Sequence, residues 1–440
     1  MGKGAFARLA AVLAAVGAFT GARAGGECVV LQGDTTFSVA SGTEEISGVV
    51  SGTGGLTKSG AGTLTLSNLR NTYAGPTTVS AGNLYFSSIA NVGEASSLGC
   101  PLTANQAALT LNGSGTARLA GVGEQTTDRP IVQGSKATFY VNSGATLTTT
   151  GPWTGRFYVR GSGTVRLATR LTDGAISSCS RTDKGVAELL CPTNSFTCAV
   201  TASDGTFRVP RLANAGEPSS LGAGTQITLG QREYKNIGCI SYYGATDAHC
   251  DRAITVCGYT NSTLAANHYG GRLRNETAGT CVTYSGTMTA YVRGEYPLAM
   301  PALLLDGAGD GCLATSLPDR MVLYKEGSGT WTLACANAIT GGVNVLEGRL
   351  AVDGSLPCDC VVTNGAAVGG TGTVARLALA AGARLSFAAT NAPLAVGTLA
   401  CGGAVTADVS CAVAPGAYTL MTWTSGTAPT VVPGSLPRRG

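Results

Sequence analysis

The feature that most constrains the fold of this chain is an internal repeat. Gly54 to Phe86 reads GGLTKSGAGTLTLSNLRNTYAGPTTVSAGNLYF, and Leu323 to Val352 reads LYKEGSGTWTLACANAITGGVNVLEGRLAV. Aligned with one gap, the two segments share identical residues at Leu56/Leu323, Lys58/Lys325, Gly60/Gly327, Gly62/Gly329, Thr63/Thr330, Leu66/Leu333, Asn71/Asn337, Gly75/Gly341, Val79/Val345, Gly82/Gly348 and Leu84/Leu350. A unit this short cannot bury its apolar side chains alone, so successive units are expected to stack and share a core.

A longer period covers the region between these two copies. The segment Ile89 to Gly99 (IANVGEASSLG) returns as Leu212 to Gly222 (LANAGEPSSLG), at an offset of 123 residues. The same offset relates three further pairs: Asp128/Asp251, Arg129/Arg252 and Ile131/Ile254. A third fragment, Gly161 to Val165, echoes Gly60 to Leu64. The sequence therefore predicts two long modules and a closing repeat.

The local pattern indicates short β-strands. Runs such as TLTL at Thr63 to Leu66 alternate polar with apolar residues, and Ser-Gly, Gly-Gly and Asn-Gly turns separate them. The chain has 64 glycines and 12% charged residues, yet 44% of its residues are hydrophobic, which is unlike a disordered chain. These observations predict an all-β protein in which short strands stack as the rungs of a β-solenoid.

The first repeat resembles a known family. Its Lys-x-Gly-x-Gly-Thr-Leu-x-Leu start, Asn-Thr-Tyr-x-Gly-x-Thr middle and Gly-x-Leu end are similar to the autotransporter-associated β-strand repeat of large exported proteins of Gram-negative bacteria. The second copy departs from that pattern at Ala338-Ile339, and Gly369 to Leu385 resembles the segment that often follows a last repeat. The resemblance implies a right-handed parallel β-helix, carried outside the cell or into the periplasm. It implies no particular ligand, because such repeats serve as stalks and scaffolds.

The amino terminus predicts export. Lys3 and Arg8 precede the apolar run Leu9 to Phe19, and Ala22-Arg23-Ala24 has the small residues of a cleavage site. The apolar run is too short to span a bilayer, so a cleaved signal peptide is expected at residues 1–24. The mature chain has no further stretch long enough to be a transmembrane helix, and a cell-surface, extracellular or periplasmic location follows.

The repeats suggest a domain organisation after the signal peptide. We predict an N-terminal strand and cap region at 25–53, a first solenoid module at 54–160, a second at 161–322 with a Cys/Tyr-rich insertion at about 231–281, and a closing repeat with a C-terminal β region at 323–440. The chain ends without the alternating strands of a membrane barrel, so we expect either a truncated autotransporter or a protein that is released or held by another means.

The cysteines predict disulfide bonds. All 15 lie beyond the predicted signal peptide, as expected in an oxidising compartment, and the odd number leaves at least one unpaired within the chain. The candidates are Cys191, Cys198, Cys239, Cys250, Cys257, Cys335, Cys358, Cys360, Cys401 and Cys411. The alternative is a metal site built from Cys239, His249, Cys250 and Cys257, but these spacings are not those of zinc fingers.

A binding surface is expected in the Cys/Tyr-rich insertion, the least repetitive part of the chain. Its candidate residues are Tyr234, Tyr242, Tyr243, Tyr259 and Tyr269. The alternative is that these tyrosines only pack against the solenoid. The recurring Asp-Arg pairs, with Asp319-Arg320 as a third, are interpreted as residues that fix turns, and so are Asn91, Asn214, Glu94 and Glu217.

The sequence favours a structural or adhesive role over catalysis. The formal net charge of +4 falls to +1 once Lys3, Arg8 and Arg23 leave, so nucleic acid is not an expected partner. No cofactor motif is present, acidic residues are sparse, and His249 and His268 are the two histidines. We therefore predict a non-enzymatic β-solenoid that contacts a cell-surface glycan or protein. The alternative is a polysaccharide lyase or hydrolase, which would need converging carboxylates.

Overall fold

A computed structural model describes residues 11–13, 26, 28–231, 236–258, 269–291, 300–388, 392–409 and 417–435. The chain divides into two compact units, residues 1–198 and residues 199–440. Both are built almost wholly from short strands, and every strand pairing described within each unit is parallel.

The described residues of the first unit form nineteen strands and one four-residue helix. They are β1 (Ala11–Leu13), β2 (Val29–Leu31), β3 (Thr35–Ser38), β4 (Thr43–Ile46), β5 (Val50–Gly52), β6 (Leu56–Ser59), β7 (Thr63–Leu66), β8 (Thr77–Val79), β9 (Asn83–Phe86), α1 (Ala104–Ala107), β10 (Leu109–Leu111), β11 (Thr116–Leu119), β12 (Gly123–Thr127), β13 (Ile131–Gln133), β14 (Thr138–Val141), β15 (Ala145–Thr149), β16 (Trp153–Arg160), β17 (Thr164–Leu167), β18 (Ile176–Arg181) and β19 (Val186–Leu189).

These strands form three main stacks and a short one. The first stack runs β3-β6-β8-β10-β13-β16-β18, the second runs β4-β7-β9-β11-β14-β16, and the third runs β12-β15-β17-β19. The short stack is β1-β2-β5. Thr35 pairs with Leu56 and Leu56 with Thr77, so each of these coils takes 21 residues.

The core of the first unit follows from strand alternation. Every second residue of a strand points inward, and register places equivalent residues of successive coils one above another. The column Leu66, Phe86, Leu119 and Val141 is fully buried in this way. A second column includes Phe139, which pairs with the buried Val159 and whose ring contacts Trp153 edge-on at 5.3 Å between centroids.

Twenty-three strands lie in the described part of the second unit. They are β20 (Val200–Ala202), β21 (Gly205–Val209), β22 (Gln226–Leu229), β23 (Ile237–Tyr242), β24 (Ala248–Cys250), β25 (Ala253–Cys257), β26 (Gly270–Asn275), β27 (Cys281–Tyr284), β28 (Met288–Tyr291), β29 (Ala302–Asp306), β30 (Asp310–Leu313), β31 (Val322–Lys325), β32 (Thr330–Leu333), β33 (Val343–Val345), β34 (Arg349–Val352), β35 (Ser355–Val362), β36 (Ala367–Gly369), β37 (Thr373–Leu379), β38 (Arg384–Phe387), β39 (Leu394–Cys401), β40 (Val405–Val409), β41 (Met421–Gly426) and β42 (Val431–Pro433).

Three stacks again surround one core. They run β20-β22-β25-β28, β21-β23-β26-β29-β31-β33-β35-β37-β39-β41 and β24-β27-β30-β32-β34-β36-β38-β40-β42. Coil length varies: Leu323 pairs with Val343, a step of 20 residues, whereas Cys360 pairs with Leu377, a step of 17. The rings of Tyr284 and Trp331 stack inside at 6.3 Å between centroids.

The prediction of an all-β protein with a parallel β-helix architecture is confirmed in both units. The predicted signal peptide lies outside the described residues except for β1, which pairs with β2. The predicted module boundaries stay predictions. Within the described residues, we find no helix with the length and hydropathy needed to cross a membrane.

Candidate functional site

The outer side of the second stack in the first unit carries alternating aromatic and cationic side chains. Register places Tyr85, Arg118 and Tyr140 in one row across β9, β11 and β14. The next strand, β16, adds Arg160 beside Tyr140. Residues two apart in a strand face the same way, so Arg156 and Tyr158 lie on this side as well. We call these six residues the tyrosine–arginine face: Tyr85, Arg118, Tyr140, Arg156, Tyr158 and Arg160.

The guanidinium groups of this face lie against the tyrosine rings. The guanidinium carbon of Arg118 is 4.1 Å from the centroid of the Tyr140 ring and 5.0 Å from that of Tyr85. Arg118 also donates hydrogen bonds to the Tyr85 hydroxyl, at 3.0 Å, and to Asn142, at 2.7 Å. Arg156 lies 4.5 Å from the centroid of Tyr158. Cation–π contacts and hydrogen bonds therefore fix these groups before any ligand arrives.

Positive charge exceeds negative charge on this face. Arg160 forms an ion pair with Asp183 at 3.2 Å. Burial raises the pKa of Asp183, but the Gly161 amide and Arg160 outweigh it and hold that pKa below its usual value. Arg118 and Arg156 bond neutral groups in the described structure. In the other direction along the stack, Tyr85 pairs with Thr65 and Thr65 pairs with Glu45, so this carboxylate lies two strands away from Tyr85. An anionic partner suits this arrangement.

The lysine shared by the two repeat copies is buried and serves the turns. Lys58 is fully buried, and its ammonium donates to the carbonyls of Ser59, Gly60 and Ala81. Lys325 repeats this pattern with Glu326, Gly327 and Glu347. Burial lowers the pKa of Lys325 to about 8, while neighbouring carboxylates act in the opposite direction. This lysine binds the turns of two successive coils together.

Two arginines at the offset of 123 residues hold two equivalent loops. Arg129 donates to four carbonyls and one hydroxyl of the loop: Ala90, Glu94, Leu98, Gly99 and Ser96. Arg252 makes the same set of bonds in its own loop: Ala213, Glu217, Leu221, Gly222 and Ser219. Both arginines are nearly inaccessible, 2% and 1% exposed. Their predicted turn-fixing role agrees with these contacts.

The neighbouring aspartates complete the two loops, and the expected third pair differs. Asp128 accepts a hydrogen bond from the Val92 amide, and Asp251 accepts one from the Ala215 amide. Asp319 instead accepts from the backbone amide of Arg320 and from Thr340. Asp319 is therefore consistent with its predicted turn-fixing role, but its partners differ in kind from those of Asp128 and Asp251.

The predicted disulfide cysteines are thiols in the described residues. The described thiols are Cys28, Cys100, Cys179, Cys191, Cys198, Cys239, Cys250, Cys257, Cys281, Cys312, Cys335, Cys358, Cys360 and Cys401, while Cys411 lies outside the described residues. Cys239, Cys250 and Cys257 fall on three different stacks. Cys358 and Cys360 are both buried on one side of β35, and burial raises the pKa of Cys360 to about 12. The disulfides stay predictions.

The tyrosines predicted as a binding surface do not form one patch. Tyr242 is 2% exposed and donates a hydrogen bond to the Thr246 carbonyl, so assigning it to a surface is wrong: it packs in the core at the end of β23. Tyr243 is half-buried beneath the guanidinium of Arg208, 3.9 Å from the ring centroid. Tyr269 is also half-buried, whereas Tyr234 and Tyr259 lie outside the described residues.

Some of the residues considered for metal binding and catalysis lie close together in the described structure. The exposed His249 has its Nε2 2.9 Å from the hydroxyl of the half-buried Ser285, and no carboxylate of the described residues contacts the histidine. No group of three metal-ligating side chains occurs within the described part of the chain. Asp306 and Glu326 do converge, because Arg272 donates to both at 2.8 and 3.0 Å.

The converging carboxylates are ion-paired. Asp306 also accepts from Arg274. Burial raises the pKa of Asp306, but Arg274 and Arg272 hold it below its usual value. A glycosidase acid needs a raised pKa, so this carboxyl is set up to stay ionised.

Comparison with known proteins places the repeat in a family. A family model described as passenger-associated-transport-repeat matches residues 56–85 and 323–352. The chain carries this repeat twice. Lys58 and Lys325, which share one geometry, lie at equivalent positions of the two matched segments.

One relative extends the similarity beyond the repeats. The chain is 34% identical over 277 residues to the adhesin BmaC autotransporter of Brucella suis biovar 1 (strain 1330). The match covers 62% of this chain and 7% of that relative, so the chain spans a small part of the relative's length. No solved structure matches this chain.

A third segment, at the offset of 123 residues from the first matched repeat, resembles it and was not recognised from the sequence. Residues 179–208 align without gaps with residues 56–85 at the offset of 123, and Arg181 takes the place of Lys58. Arg181 is fully buried and donates to the carbonyls of Val159, Gly161, Gly163 and Thr182. The offset already read from the two loops would have found this segment, but the substitution of Lys by Arg hid its motif.

Proposed function

We propose that this chain is an exported, surface-exposed adhesive solenoid whose tyrosine–arginine face binds a negatively charged glycan. The proposal rests on one row of side chains across neighbouring strands of the second stack: Tyr85, Arg118, Tyr140 and Arg160. The Brucella suis relative is an adhesin by name, which supports an adhesive role, and the passenger-associated repeats support export.

The geometry suits an extended, charged polymer. Neighbouring strands lie about 4.8 Å apart, so the face repeats its rings and guanidinium groups at short, regular intervals. Guanidinium groups recognise carboxylates and sulfates through paired hydrogen bonds, and tyrosine rings offer flat apolar surface to sugar rings. Because the guanidinium groups are already held by Tyr85, Tyr140 and Tyr158, binding costs little side-chain ordering.

Binding without catalysis is the better supported activity. All carboxyl groups with a resolved pKa shift among the described residues have a lowered pKa, as at Asp183, Glu276, Asp306 and Asp408. A glycan hydrolase needs one carboxyl group that is protonated near neutral pH. The converging pair Asp306 and Glu326 therefore supports an ion-pair network more than an active site.

The binding proposal is tested with an immobilised acidic polysaccharide such as hyaluronan. Arg118→Met should weaken binding about tenfold or more, because one guanidinium contacting a carboxylate is lost. Tyr140→Ala should weaken it as well. Arg166→Met is the matched control: Arg166 lies on another stack and pairs with Glu124 and Glu188. Equal binding by wild type, Arg118→Met and Tyr140→Ala would refute the role of this face.

Surface exposure is tested on intact cells. Protease treatment followed by immunoblotting of cell, periplasmic and medium fractions should remove the protein from the cell fraction without lysis. Full protection inside the periplasm would contradict the surface role. The binding measurement on purified protein would still test separately whether the tyrosine–arginine face binds an acidic glycan.

A further inference from the structure

The second unit holds a cavity beside successive strands of its third stack. Its volume is about 240 Å³, and Thr332, Ala351 and Phe387 line it from β32, β34 and β38. Thr419 and Leu420, which precede β41, close another side. Ligand sites for drug-sized molecules begin at about 300 Å³, so this cavity suits a ligand of about one ring.

A cation with few partners lies in this cavity. Arg349 is the first residue of β34, and its Nη2 donates one hydrogen bond, at 3.2 Å, to the Ser386 carbonyl. Its buried Nε has no hydrogen-bond partner among the described protein atoms. The guanidinium lies over Gly369, where a β-carbon would be 3.2 Å from Nη2. That β-carbon would also lie 1.9 Å from the Ser386 carbonyl oxygen, so glycine at this position allows the close approach of the next coil as well as of the arginine.

Other buried cations of the chain are better satisfied. Arg129 and Arg252 each make five hydrogen bonds to their loops. Burial lowers the pKa of Arg349, and the nearest carboxylates, Asp353 and Asp310, only oppose this effect. Neither forms an ion pair with Arg349 in the described structure. A half-buried guanidinium with one hydrogen bond and no ion pair is costly, and an anionic ligand would reduce that cost.

We propose that this cavity binds one acidic sugar residue, with the carboxylate of a hexuronate paired to Arg349. The hydroxyl groups of Thr332 and Thr419 are available for sugar hydroxyls, and the Phe387 ring supplies an apolar wall. Asp353 lies at the exposed rim and accepts hydrogen bonds from Thr371, so one of its oxygens is oriented. This site lies in the second unit and is independent of the tyrosine–arginine face.

The test is titration of the full chain with glucuronate, galacturonate, glucose and acetate, followed by calorimetry or saturation-transfer NMR. We expect saturable binding of a hexuronate, with glucose and acetate at least about tenfold weaker. Arg349→Met should reduce hexuronate affinity about tenfold or more, since a charge-assisted pair is lost. Thr332→Val, which keeps the shape of the side chain, should weaken binding about threefold through one lost hydrogen bond.

The control is Arg376→Met. Arg376 lines a second concavity of about 250 Å³ in the same unit, but it is already ion-paired with Asp359. This variant should bind hexuronate like wild type. Equal affinity for acetate and hexuronate would overturn the sugar assignment, and unchanged affinity in a folded Arg349→Met protein would overturn the site. If Arg349→Met does not fold, unchanged affinity in Thr332→Val overturns the proposal instead.

Discussion

At the residue scale, the buried cations of this chain bind turn carbonyls. At each coil corner, several carbonyl groups point into a space that water does not reach, and each needs a donor. A lysine with three donors, or an arginine with five, satisfies several of them at once. Lys58, Lys325, Arg129, Arg181 and Arg252 all do this. Their positive charges are thereby spread over carbonyl dipoles without a buried carboxylate.

Loss of one such cation should destabilise its unit. Arg129→Met keeps most of the side-chain volume but removes the donor of the Leu98 carbonyl and one of the donors of the Ala90 and Gly99 carbonyls. We expect the free energy of unfolding to fall by about 3 kcal/mol, measured by urea denaturation. Loop 90–99 should also become more sensitive to protease. Arg70→Met, at an exposed arginine of the same unit, should change the free energy by no more than about 0.5 kcal/mol.

The sequence predicted the loop arginines but missed the tyrosine–arginine face, for a physical reason. Asp128-Arg129 and Asp251-Arg252 recur with a fixed offset, so their role could be read from the chain. Tyr85 and Arg118 are 33 residues apart, whereas Arg118 and Tyr140 are 22 apart. The number of residues between paired strands differs because the chain leaves the coil and rejoins it between residues 87 and 108. Tertiary packing decides where this happens, so the local sequence pattern does not show it. The partners of Arg349 depend on packing in the same way.

At the element scale, the coil corners decide how closely the strands stack. Gly82 and its counterpart Gly348 adopt φ values of +65° and +64°. A β-carbon on Gly82 would lie 2.3 Å from the Gly60 carbonyl oxygen and 2.4 Å from that of Gly62. Both the backbone conformation and the contact with the preceding coil therefore require glycine.

The two requirements can be separated with a matched pair of variants. Gly82→Ala combines an unfavourable φ with a clash, so we expect it to lower the free energy of unfolding by about 3 kcal/mol. Gly93 has φ +83° but open space around its missing β-carbon, so Gly93→Ala should cost about 1 kcal/mol. Urea denaturation of both variants checks this. Equal losses would mean that the contact between coils contributes nothing.

The sequence predicted these elements well because their signals are local. Alternation in TLTL and the glycine turns is enough to place β7 and its neighbours, and the repeat requires parallel stacking. The number of residues per coil was not predictable, since it ranges from 17 to 34 between paired residues such as Cys360/Leu377 and Ile254/Met288. Side chains at corners, rather than strand propensity, set that spacing.

At the scale of the whole molecule, carboxylates paired with arginines make stability depend on pH. Asp183 and Arg160 form such a pair in the first unit, and Asp306 with Arg272 and Arg274 forms one in the second. In each case burial alone would raise the carboxyl pKa, and the arginines and hydrogen bonds lower it. The folded protein therefore binds these protons less readily than the unfolded chain does.

This sign predicts loss of stability in acid. A carboxyl group whose folded pKa is lowered contributes stability above its unfolded pKa, close to 3.8 for Asp, and loses it as pH falls through the folded pKa. Urea midpoints should therefore be nearly constant from pH 7 to about pH 5 and should fall steeply below about pH 4.

Asp306→Asn should lower the midpoint at pH 7, because the positively charged Arg272 and Arg274 lose the carboxylate that pairs with them. The substitution should have little further effect near pH 2. The control is Asp359→Asn, which removes a carboxylate whose pair with Arg376 is exposed. Its midpoint should follow the wild type at every pH. An unchanged acid slope in Asp306→Asn would show that this buried pair does not contribute to the pH dependence.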